Sequence, residues 1–185
     1  MKFTEAPLAG AYVVGMERHA DERGTFARSW CQREFRDIGI DHRLVQCNVS
    51  YNIRRGTLRG MHYQAAPFGE AKLVRCTRGA LYDVMIDLRP ASPTFLRWAA
   101  FELTSGDGKA VFIPAGCAHG FKTLEDDTEI FYQMSEFYAP QYARGVRWDD
   151  PLFGVEWPAG EITISPRDRA YPDARPEDFH SGGGA

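Results

Sequence analysis

The chain lacks most of what would commit it to a membrane, a nucleic acid or a disulfide scaffold. None of its 185 residues falls in an uninterrupted apolar segment long enough to cross a bilayer. The opening Met1-Lys2-Phe3-Thr4-Glu5 carries no signal-peptide apolar core. Lys/Arg runs and basic tails are missing, and the formal net charge of −3 argues against a general binder of nucleic acid or anionic membrane. The four cysteines, Cys31, Cys47, Cys76 and Cys117, show neither CxxC nor metal-knuckle spacing. They read as free thiols of a cytoplasmic protein. A Gly-rich phosphate loop, a GxSxG elbow, βαβ alternation and internal repeats are also absent, which removes P-loop, Rossmann and α/β-hydrolase readings.

What is present is ordinary globular material, 44% apolar and 25% charged, in a length that suits one domain over residues 1–185. The Gly-rich end, 181–185, reads as a flexible tail. Strands are predicted over 7–14, 25–30, 44–50, 57–64, 73–77, 81–88, 98–103, 110–113, 121–124 and 128–134. Turns fall at 19–24, 104–108 and the Gly/Pro corner 114–120. A short helix is expected over 31–38, stopped by Gly39, and one helical turn over 140–144; the tail from Ser165 reads as irregular. In 81–88, Tyr82, Val84, Ile86 and Leu88 share one face and Asp83, Met85 and Asp87 the other, the alternation of a half-exposed strand. Many short strands separated by Gly, Pro and Asp turns predict an all-β fold, a sandwich or double-sheet jelly-roll barrel with a few short helices.

The chemistry concentrates in Gly56-Thr57-Leu58-Arg59-Gly60-Met61-His62-Tyr63-Gln64, followed by Lys72. An imidazole that takes a proton near neutral pH, with two cations nearby, suits a site that deprotonates an anionic substrate. Taken singly, each residue also reads as structural: a core histidine capped by a hydrogen bond, and an Arg and a Lys on a solvated strand face. Metal-binding barrels of the cupin type carry two closely spaced histidines, a carboxylate and a later histidine. His62 has no such partners, and Lys72 places a cation where a ligand would be wanted. No metal and no cofactor are expected.

The chain resembles the dTDP-4-dehydrorhamnose 3,5-epimerase family along nearly its whole length. The resemblance rests on Asp21-Glu22-Arg23-Gly24-Thr25-Phe26, Gln46-Cys47-Asn48-Val49-Ser50, the 56–64 segment and Lys72-Leu73-Val74-Arg75. It continues through Asp87-Leu88-Arg89, Ser92-Pro93-Thr94, 113–121, Tyr132 with Tyr138, and Trp148-Asp149-Asp150-Pro151. It implies a cofactor-free epimerase on a cupin-like jelly roll, a homodimer acting on a nucleotide-linked 4-keto-6-deoxy sugar. On this resemblance His62 is the base, Lys72 the stabiliser of the enolate, Tyr132 the acid on the opposite face, and Asp168 the carboxylate behind His62. From sequence alone Asp168 is a surface turn residue, and only the resemblance lifts it.

Binding roles follow in the same way. Arg59 and Arg23 are implied as pyrophosphate clamps, Arg23 reaching across a subunit boundary, because guanidinium forks suit phosphate oxygens. Gln46 and Asn48 are implied as partners of sugar or phosphate oxygens, and His119 as a further site residue. Phe26 and Tyr138 would sandwich the base, although Phe26 reads equally well as a core residue. In a regular strand Arg59 and His62 would point to opposite faces, so Gly60 is predicted to bend or bulge the strand. Arg28 departs from the family, whose members often carry Glu there, and reverses a charge near the expected nucleotide end. Three rivals stay open: a single-centre epimerase, a non-catalytic sugar-nucleotide-binding cupin and a metal-dependent cupin.

Overall fold

A computed structural model describes residues 1–180; the expected flexible tail, 181–185, lies outside the described residues. In chain order the strands are β1 (Lys2–Glu5), β2 (Tyr12–Gly15), β3 (Arg18–Asp21) and β4 (Gly24–Ala27). The helix α1 (Gln32–Asp37) precedes β5 (Gln46–Asn52), β6 (Thr57–Gln64), β7 (Lys72–Arg78) and β8 (Ala80–Asp87). Then come β9 (Trp98–Thr104), β10 (Lys109–Ile113), β11 (Cys117–Thr123), β12 (Thr128–Met134), β13 (Ala143–Gly145), β14 (Thr163–Ile164) and the short helix α2 (Pro166–Arg169).

Two sheets face each other as in a cupin-like jelly roll. One has the order β1-β2-β10-β7-β12-β5, the other β13-β6-β11-β8-β9, with β14 added parallel to β6. Between them lies an apolar layer of Val74, Cys76, Leu81, Met85, Val111, Ile113, Phe121 and Ile130. Each large aliphatic or aromatic side chain so buried contributes about 1.5–3 kcal/mol. The outer face of the first sheet is closed by α1, whose Phe35 packs with Val14, Leu73 and Phe112. The outer face of the second is closed by the chain from Val146 onward, with Phe153, Trp157 and Phe179 lying over Met61, Val84 and Ile86.

This third layer corrects the reading of 81–88 as half-exposed. Val84, Met85 and Ile86 are buried, as are Asp83 and Asp87, because β8 is sandwiched on both faces. Of the expected strand 7–14 only 12–14 is strand, the start of β2; residues 7–10 turn the chain back from β1, which lies earlier, at Lys2–Glu5. Pro7 has no N–H to give a ladder, and Gly10 turns the chain at φ +75°. The expected turn at 19–24 is mostly a hairpin, with β3 and β4 pairing Asp21 with Gly24. The Gly/Pro corner is shorter than expected, so Cys117 through Gly120 already belong to β11 and His119 sits mid-strand. After a single turn of 3-10 helix, Pro140–Tyr142, the chain enters β13 rather than completing a helical turn to 144. The tail from Ser165 also contains an ordered element, α2.

The predicted bulge is present at Gly60. On β6, Arg59 pairs with Phe121 and His62 with His119, so three steps on β6 match two on β11. The extra residue moves Arg59 and His62 onto the same inward face. Gly60 has φ +127°, and a Cβ there would lie 2.5 Å from Gly120 Cα. Gly60→Ala is therefore expected to lower stability by about 3 kcal/mol, through overpacking and a backbone conformation foreign to alanine. Urea unfolding against the wild type measures it; an unchanged midpoint would contradict the close approach of the two strands.

Candidate active site

The cleft opens where β5, β6 and β14 leave the two sheets apart. Its main lobe, about 790 Å³, is lined by Arg59, His62, Lys72, His119, Tyr132 and Asp168, among others. A smaller lobe of about 200 Å³ adds Gln46, Asn48 and Tyr138, and shares His62, Lys72 and Tyr132. Strand alternation explains the lining. On β12 and β5 the register pairs Tyr132 with Asn48 and Met134 with Gln46, so these side chains share the inward face. His62 enters from the second sheet, Tyr132 and Lys72 from the first.

Asp168 is brought to the site by α2, where Ser165 caps the helix by accepting the Asp168 N–H at 3.0 Å. The buried carboxylate accepts from His62 Nε2 at 2.7 Å and, through its other oxygen, from the Gly60 N–H at 3.4 Å. Nδ1 of His62 is left free to take a proton. Loss of hydration holds His62 below its ordinary value of 6.5; the Asp168 hydrogen bond and charge pull upward, and the Lys72 charge adds to the lowering.

Lys72 is held by the Glu70 carboxylate at 3.1 Å, both side chains buried, and by the His62 carbonyl at 3.4 Å. His119 has its own carboxylate, Asp83, at 2.7 Å. Arg59 instead donates Nε to the amide oxygen of Asn52 at 2.8 Å. Among the described residues no carboxylate pairs with Arg59, so its charge is available to an anion. Among the same residues no three His, Cys, Asp or Glu side chains converge as metal ligands.

The eleven expected residues fall into two groups. His62, Lys72, Tyr132, Asp168, Arg59, His119, Gln46, Asn48 and Tyr138 line the two lobes. Gln46 accepts the Tyr138 N–H through its side-chain oxygen at 3.2 Å, which leaves its amide N–H groups as donors. Arg23 and Phe26 do not reach this chain's own cleft. They lie on the β3–β4 hairpin, Arg23 paired with Asp21 at 2.5 Å and Phe26 75% exposed. Arg28 is answered by Glu34 of α1 at 2.8 Å, which neutralises the reversed charge locally. Sequence reasoning missed Arg167, which lines both lobes beside Tyr138 and Tyr171. Its position next to Asp168 was the available signal.

Fold and cleft together define a cupin-type barrel in which a carboxylate-backed imidazole and a phenol project from opposite sheets into one open cleft. The chain belongs to the dTDP-4-dehydrorhamnose 3,5-epimerase family, whose profile matches residues 5–175. It is 40% identical over 173 residues to the dTDP-4-dehydrorhamnose 3,5-epimerase of Sinorhizobium fredii, covering 93% of this chain and 89% of that one. The Bacillus anthracis enzyme of the same name, with TDP and PPi bound, superposes with a TM-score of 0.89 at 36% identity, covering 92% and 98% of the two chains. A 3′-monoepimerase of Streptomyces bikiniensis in complex with dTDP-quinovose gives a TM-score of 0.84 at 37% identity, covering 90% and 85%. This membership makes the protein a carbohydrate epimerase and sets aside the non-catalytic binder.

The depressed His62 pKa has a consequence for stability. The unfolded chain binds this proton more readily than the folded one, so the His62 contribution is present above pH 6.5 and is lost as pH falls through the lower folded value. His62→Gln is expected to flatten the fall of the unfolding midpoint below pH 6.5, read by thermal melts across pH 4.5–8. An identical acid limb in both proteins would contradict a desolvated imidazole.

Proposed function

We propose that the protein inverts C3 and C5 of dTDP-4-keto-6-deoxyglucose, giving dTDP-4-keto-rhamnose, without a cofactor. The observation that carries the reading is the placement of His62 and Tyr132 on facing sheets of one cleft, with Lys72 beside them. Protons on C3 and C5 are acidified by the C4 ketone. His62 Nδ1 takes one; the C–H electron pair becomes the enolate double bond, and the carbonyl pair moves to the C4 oxygen. The Lys72 ammonium stabilises that negative charge. Tyr132 returns a proton to the carbon from the other face, which inverts the centre, and the phenolate and imidazolium then re-equilibrate with solvent. Asp168 steadies the imidazolium and fixes its tautomer.

Arg59 and Arg167 supply the positive charge for the diphosphate, and Tyr138 a stacking face for the base. We further propose that the protein is a cytoplasmic homodimer built from one jelly-roll domain per chain. The outer face of β5, an edge strand, exposes Val49 and Tyr51 at 58% and 46%, and Ile53 just past its end is 70% exposed, a stripe that a second copy would cover. A partner would also give Arg23 and Phe26 a cleft to reach, with Phe26 stacking on the base. Free cysteines fit a reducing compartment.

A single-centre epimerase remains the second reading, supported by the similarity to a 3′-monoepimerase at 37% identity. Incubation with the keto sugar in D2O decides between them, with NMR locating the label. Deuterium is expected at both C3 and C5; label at one carbon alone gives the second reading. His62→Ala is expected to lower exchange by about 10²- to 10⁴-fold, the range of a lost general base. Full exchange in that variant would end the mechanism. For the assembly, Ile53→Glu is expected to convert a dimer into monomers in light scattering; a wild-type monomer would remove the proposed interface.

A further inference from the structure

Asp83 does no work in the mechanism above, yet it is the least expected side chain in the fold. It is fully buried on the inner face of β8, between Leu81 and Met85 of the apolar layer. One oxygen accepts from His119 Nε2 at 2.7 Å, and the other, Oδ2, has no hydrogen-bond partner among the described residues. A half-satisfied carboxylate in an apolar interior opposes folding, and an apolar side chain of similar size would pack there without that cost. Packing therefore gives no reason for it. Its one interaction leads to His119, which lines the main lobe and stands opposite His62 in the β6–β11 register.

The cleft thus has two imidazoles side by side, each with a carboxylate on Nε2. For His62 the carboxylate comes from α2 outside the barrel; for His119 it comes from the core. We propose that Asp83 is a positioning residue that fixes the tautomer and ring orientation of His119, so that Nδ1 is presented to an oxygen of the bound sugar. The proposal rests on the epimerase reading for the identity of the sugar. The geometric part does not: with Nε2 held by Asp83, Nδ1 is the only ring nitrogen left for a ligand. A buried carboxylate suits this task better than a carbonyl, because it accepts the N–H in a charge-assisted bond and so opposes rotation of the ring.

The test uses the full-length protein and two readouts. Asp83→Asn is expected to lower kcat for deuterium incorporation about 10- to 100-fold, as losses of a residue orienting a histidine do, while the affinity for dTDP, which lacks the sugar, stays unchanged. His119→Asn should lose as much, and Asp83→Asn added to His119→Asn should cost nothing further. Ring 15N spectra of the ligand-free protein should show His119 with the proton on Nε2, and a changed tautomer population in Asp83→Asn. Multiplying losses in the double variant, full kcat with only a shifted unfolding midpoint, or an unchanged His119 tautomer would each overturn the proposal. Absence of exchange by the wild type would instead reject the epimerase reading, and the 15N spectra would still decide the part played by Asp83.

Discussion

The cleft depends on one extra residue in β6. A strand alternates its side chains, so Arg59 and His62 could not both look inward if the β6–β11 ladder were regular. Gly60 absorbs the mismatch opposite Gly120, where the backbones approach too closely for a Cβ on either. The same displaced residue presents its N–H to Asp168, so the bulge and the His62 carboxylate support each other. A change of register here would turn the imidazole toward the apolar layer under Phe153 and Trp157 and leave the cleft without it.

Charge in the cleft follows a simple plan. His62, Lys72 and His119 each have a carboxylate at their back, from Asp168, Glu70 and Asp83 respectively. Such pairing lets ionisable groups sit out of water at a cost that isolated charges could not meet. Arg59, by contrast, is bonded to a neutral amide, and no carboxylate among the described residues answers its charge. Such an uneven distribution of charge would orient a ligand that is negative at one end only.

Much of this was legible in the residues. The bounds of β6 and β12 were read without error, because alternating apolar positions run there between clear turn signals. The need for a bulge at Gly60 followed from an odd spacing. The errors have a common cause. Asp83 and Asp87 were placed on a wet face because carboxylates on alternate positions usually are, yet Leu81 and Met85 occupy the same face and belong to the core. Glu70, Arg167 and Asp83 were missed for the related reason that a charged residue read singly looks solvated. Asp168 came only from family resemblance, since more than a hundred residues separate it from the histidine it holds.

The sequence by itself determined the local grammar: an all-β chain, the strand periods, the glycines where backbones must touch, and the residue types that proton transfer beside a ketone requires. These are properties of a residue and its near neighbours, and φ/ψ preference and side-chain alternation act over that range. Tertiary structure alone decided which carboxylate stands behind which base, that β8 has no wet face, and that Arg23 and Phe26 lie apart from their own cleft. Each of these depends on contacts between distant segments, through burial and loss of hydration, and no local preference encodes where water has been excluded.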